Sequence, residues 1–171
     1  GVIATGCLSI PSAVWSGLLQ QTVFNAAQNT LNFRYGAGGN STDIVGTGGL
    51  ANGNVVKFTN VITIGTQAID AVVTVGTTNI SFTAFDSTTS PIAQATIAAS
   101  TIYLTALQPG LTANAGGGNL TLTIEFYLGG TYTGLNTGTR ATLQNVVVNS
   151  YDIDSTGGTD RQFQNFRGFR S

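Results

Sequence analysis

Histidine and methionine are absent from this chain, cysteine occurs once (Cys7) and lysine once (Lys57). Without an imidazole there is no Ser-His-Asp or Cys-His nucleophile and no His-ligated metal site. A single thiol excludes an internal disulfide framework and any cysteine cluster for zinc or iron–sulfur groups. Charge is scarce as well: Asp, Glu, Lys and Arg make up 8% of the 171 residues, with a net charge of −1, where about a quarter is usual. No basic field is available to hold nucleic acid or an anionic membrane. No run reaches the roughly 18 apolar residues of a spanning helix, and the nearest candidate, 1–23, is interrupted by Pro11 and by Gln20 and Gln21. These absences weigh against most enzymes, and no catalytic residue is assigned.

What the chain does have is 42% hydrophobic residues in short runs, 23 glycines and abundant threonine. That is enough apolar material for a core. The runs read as strands: 55–64 (VVKFTNVITI), 68–75 (AIDAVVTV), 79–85, 100–107, 119–128, 143–153 and 162–169. In 119–128, Leu120, Leu122, Ile124, Phe126 and Leu128 alternate with Thr121, Thr123, Glu125 and Tyr127, the period of two that marks one buried and one wet face. Clusters of Gly, Asn, Thr and Ser at 36–39, 46–49, 114–119, 129–133 and 155–159 separate the runs and read as turns. The expected fold is all-β, an antiparallel β-sandwich of eight or nine strands of jelly-roll or Greek-key type.

Residues 1–33 carry no charged side chain, and the first charge is Arg34. The expected organisation is therefore an uncharged N-terminal arm over 1–30 and a sandwich over 31–171. Within the arm, Trp15, Leu18, Leu19 and Val23 fall at helical spacing behind Ser12, which predicts a short helix over 12–24. An apolar tip such as Val2, Ile3, Leu8 and Ile10 needs shelter, on its own sheet or on the next subunit's. Gly1 in place of an initiator Met, with one Lys and no Met to attract trypsin or oxidants, points to a processed, extracellular chain.

Asp152 and Asp154 are two apart, so a strand would send both carboxylates to one face, and Asp160 follows across a Gly-containing loop. Such an oxygen set suits calcium, although the spacing matches no EF-hand loop and the plainer reading is an outward acidic pair ending a strand; calcium is the one cofactor the residues suggest. Asp70 interrupts an apolar strand and reads as a satisfied buried carboxylate, bonded to backbone or Arg. Pairing Asp70 or Glu125 with Asp152 would be needed for glycosidase chemistry. The C-terminal run 161–171 holds three of the six basic residues and three of the nine phenylalanines, leaving Arg167 and Arg170 as candidate contact residues. Asn40, Asn79 and Asn119 each open a glycosylation sequon, and chance matches are expected in so Asn- and Thr-rich a chain.

The stretch 55–75, the segment from Leu143 to Asp154 ending Tyr-Asp-Ile-Asp, and the closing Phe-Gln-Asn-Phe-Arg-Gly-Phe together resemble the β-sandwich modules of large secreted and cell-surface bacterial proteins, including adhesin-like ones. The apolar start before a single sandwich is similar to pilins that assemble by donor-strand exchange. That resemblance implies a secreted structural subunit of a filament, pilus or surface layer, its partner another copy of itself, with Val2, Ile3, Leu8, Ile10 and Trp15 as the assembly arm. The alternative is a carbohydrate-binding or adhesive module, with Tyr127, Tyr132 or Trp15 as sugar platforms and calcium near Asp152.

Overall fold

The structure is a computed structural model that describes residues 22–26, 31–85, 107, 109–112, 117–135, 137–148 and 164–168. All regular structure in them is β: β1 (Thr22–Asn25), β2 (Ser41–Val45), β3 (Val55–Ile64), β4 (Gln67–Thr78), β5 (Ser81–Ala84), β6 (Gly110–Thr112), β7 (Leu120–Leu128) and β8 (Arg140–Gln144). Six strands form one sheet in the order β1-β8-β7-β4-β3-β2, and β5 and β6 pair as a second, two-stranded sheet. The arrangement is sandwich-like and mixed rather than antiparallel throughout, because β1 runs parallel to β8, Thr22 opposite Ala141 and Asn25 opposite Gln144.

The long hairpin β3–β4 is the centre of the sheet. Both strands are dense in Val and Ile, whose stiff branched side chains suit the pleat. Ile64 faces Gln67 across a two-residue connection, and Gly65 takes φ 62° there, as a tight hairpin requires at its first central position. Central β4 is buried on both sides: Ile69, Ala71, Val73 and Val75 on one face, Asp70 and Val72 on the other. Its near-continuous apolar run is what burial on two faces demands.

The larger core lies on the Ala71 side. Phe33 meets Phe58 edge-on at 5.1 Å, and Phe85 stacks on Phe58 at 6.0 Å. Phe85 directly follows β5, and Phe82 of β5 packs against the same core, so these contacts bring the small sheet over the large one. Each such ring or branched side chain, fully buried, contributes about 1.5–3 kcal/mol. The opposite face carries a smaller cluster of Val55, Val72, Tyr127 and Tyr132.

Several sequence expectations change. The segment assigned to a helix over 12–24 is strand from Thr22 onward, since two β-branched-or-aromatic positions, Val23 and Phe24, find a ladder beside β8; 12–21 lie outside the described residues. Ala26 is in the main core and Phe24 packs against it, so the chain's own sheet begins inside the stretch expected to be arm. The strand expected over 143–153 is instead β8, which ends at Gln144, and residues 146–148 carry no strand. Residues 164–168, expected in a last strand, are exposed and carry none. In β7 the alternation holds over Leu120–Thr123 and then breaks: Ile124 is 41% exposed, whereas Tyr127, expected on the wet face, is 1% exposed. Tyr127 is covered because the Tyr132 ring folds back to 4.8 Å and Arg140 lies over it at 5.5 Å.

Candidate functional site

Cross-strand register places the polar chemistry of the sheet on one face. Lys57, Val72 and Glu125 lie in one row across β3, β4 and β7, and Asp70, Tyr127 and Arg140 in the next row across β4, β7 and β8. Asp70 is fully buried. Its Oδ1 accepts the backbone N–H of Asn60 at 2.8 Å and its Oδ2 accepts that of Gly130 at 3.0 Å. Lys57 Nζ stands 3.5 Å from Oδ2. Both oxygens are therefore committed to the fold, and the carboxylate joins three separate pieces of chain. The reading of Asp70 as a satisfied buried carboxylate bonded to backbone agrees with this geometry, with Lys57 as the cation in place of the expected Arg.

Glu125 is held by Arg140 in an ion pair and accepts the Tyr127 hydroxyl at 3.4 Å. Burial, and then the Glu125 charge, push the Tyr127 and Tyr132 phenols above their ordinary range. The Tyr132 hydroxyl is buried without a hydrogen-bond partner among the described residues. A sugar platform needs a ring face open to solvent, and these two rings cover each other. The expectation of Tyr127 and Tyr132 as exposed sugar contacts is thus corrected; Trp15 lies outside the described residues.

The glycine-rich turns at 36–39 and 46–49 are organised by two side chains. Asn40 donates from Nδ2 to the carbonyls of Asn32 (2.9 Å) and Thr59 (2.8 Å), and its Oδ1 accepts the Arg34 N–H. Asp43 accepts the Tyr35 hydroxyl at 2.9 Å and the Gly48 N–H at 2.9 Å. Burial first, and the Asp43 acceptor second, push the Tyr35 phenol up to about 12. Of the three sequon asparagines, Asn40 is spent on backbone carbonyls. Asn79 Oδ1 accepts the Asn119 N–H, and both Asn79 and Asn119 are exposed.

The remaining surface of interest is the pair of lateral edges. Among the described residues, β2 forms one end of the large sheet and β1 the other. Every residue of β2 after Ser41 is exposed, Ile44 at 38% and Val45 at 42%, and Val23 of β1 is exposed too. Sequence reasoning missed β2, although a β-branched pentapeptide bounded by two glycine clusters is a strand signal.

Val2, Ile3, Leu8, Ile10 and Trp15 of the expected arm, Asp152, Asp154 and Asp160 of the expected calcium set, and Arg170 lie outside the described residues. Arg167 is exposed in the stretch 164–168. Among the described residues no three acidic or thiol side chains gather as a metal ligand set, and no helix is long and apolar enough to cross a membrane. No protein-family model, curated protein or solved structure matches this chain.

Proposed function

We propose that this chain is an extracellular structural subunit that assembles with copies of itself by strand addition, its uncharged N-terminal segment completing a neighbour's sheet. The observation that supports the reading is the layout of the large sheet. Among the described residues it ends laterally in two short strands, β1 and β2, and β1 lies within the uncharged stretch 1–33. A donor that leaves from one edge and an acceptor at another make a heterologous contact, which propagates instead of closing. Main-chain hydrogen bonds supply the affinity of such an addition and alternate side chains its register. With 8% charged residues, adjoining copies repel little and assembly depends weakly on salt.

The test is removal of residues 1–14, followed by negative-stain microscopy and sedimentation beside the full chain. The expected result is filaments or sheets from the full chain and folded monomers from the truncated one. Full-length protein that stays monomeric, or truncated protein that still polymerises, refutes the proposal.

A further inference from the structure

We infer that the acceptor for the arm is the outer edge of β2, and that its occupant is the segment 2–10 of a second copy. The inference rests on the assembly reading above and assigns it a surface. In the order β1-β8-β7-β4-β3-β2, each inner strand has a neighbour on both sides. Among the described residues, β2 has no strand paired to its outer side. β1 is joined to the donor segment itself, whereas β2 lies five strand spacings away, about 24 Å at the usual separation. A copy set beside the first therefore brings its arm directly to a β2 edge.

The character of β2 fits that role. Of the devices that guard an exposed edge, Ser41–Val45 lacks Lys and Pro and has its short length, one bulge and one charge. Its one charge, Asp43, is drawn aside, with its oxygens engaged by the Tyr35 hydroxyl and the Gly48 N–H. Ile44 and Val45 stay exposed beside it. A bulge between Asp43 and Val45 breaks the register with β3 and bends the strand there. The segment 2–10, with Val2, Ile3, Leu8 and Ile10 and no charge, brings apolar side chains to Ile44 and Val45 and sets no like charge against Asp43.

The chain supplies its own probe, because its only thiol, Cys7, lies in the donor segment. The variant Ile44→Cys, with Thr42→Cys as a second edge position should the first fold poorly, is assembled and oxidised. It is then resolved on a non-reducing gel and by peptide mass mapping. The expected result is a ladder of covalent multimers containing the peptide of Cys7 joined to the introduced thiol, lost when Cys7→Ser is added. The variant Ile44→Lys is expected to abolish polymerisation while its melting transition remains.

Filaments that form without that cross-link and tolerate Ile44→Lys overturn the β2 assignment and leave the assembly reading standing. Cross-links confined within monomers mean that the arm lies on its own sheet, and also overturn it. Absence of any polymer from the unaltered chain overturns the assembly reading beneath.

Discussion

Asn60 and Asp70 meet where the central hairpin breaks its own register. Phe58 faces Ala71 and Ile62 faces Ile69, so Thr59, Asn60 and Val61 together stand opposite the single residue Asp70. Asn60 sits at φ 51°, the left-handed region that Asn tolerates better than most residues. Its N–H, freed from the ladder by the bulge, donates to Asp70 Oδ1. The buried carboxylate is thus a repair of the sheet, supplying the acceptor that the partner strand lacks at this point.

Removing that acceptor is expected to be costly. Asp70→Ala strands the N–H groups of Asn60 and Gly130 and leaves Lys57 without its partner, a loss of about 3–5 kcal/mol by the precedent of broken buried pairs. Asp70→Asn keeps one acceptor oxygen and is expected to lose less. Lys57→Met leaves the buried carboxylate without its cation but keeps the N–H donors of Asn60 and Gly130 on it, so it is expected to be destabilising and to cost less than Asp70→Ala. Urea midpoints at unchanged slope measure all three; an Asp70→Ala variant as stable as Lys57→Met contradicts the account.

Two adjacent glycines separate backbone strain from steric exclusion. Gly48 and Gly49 both have positive φ, but a Cβ on Gly48 meets nothing within 4 Å, whereas one on Gly49 falls 2.5 Å from Phe85 Cδ2. Gly48→Ala is expected to cost about 1–2 kcal/mol of left-handed strain. Gly49→Ala adds overpacking of about 1–3 kcal/mol to that. Thermal melts of the pair should show the lower transition for Gly49→Ala, and equal transitions would mean that Phe85 gives way freely.

Alkaline pH should weaken the fold through its tyrosines. The folded-state values of Tyr35, Tyr127 and Tyr132 lie above the usual 10, that of Tyr35 at about 12. A phenol whose value is raised by folding contributes stability that is fully present below its unfolded value and lost as pH climbs through the folded one. Stability is therefore expected to be flat up to about pH 10 and to fall from there toward 12. Absorbance of phenolate at 295 nm, followed alongside circular dichroism, checks both parts. Tyr35→Phe should titrate one tyrosine fewer at the alkaline end.

The sequence declared the centre of this fold and hid its margins. The strand 55–64 was legible because Val and Ile recur there at density, and a fully buried strand such as β4 shows as an apolar run whatever its neighbours. Asp70 was legible for the converse reason: a lone carboxylate inside such a run has to be satisfied. The bulge at Thr59–Val61 was not, since its residues continue a strand-like pattern and only the non-local pairing with β4 reveals the surplus. β1 escaped notice because four residues owe their strand to a partner near the other end of the chain. Tyr127 looked wet by parity with its neighbours; its lid, Tyr132, arrives from the following turn, and parity carries no information about lids. The candidate arm and acidic set at 2–15 and 152–160 fall outside the described residues, so of the proposed assembly the structure contributes only the receiving edge.

The parallel pairing of β1 with β8 also has a kinetic meaning. Thr22 and Ala141 are about 120 positions apart, so this ladder rewards the chain only after a very long loop has closed. The β3–β4 hairpin, by contrast, closes over two residues and can form while later segments are still being synthesised. The order of events that follows is hairpin first and β1 last. Until β8 has emerged, β1 has no ladder to join, and that interval is when its unpaired strand groups are most open to premature aggregation.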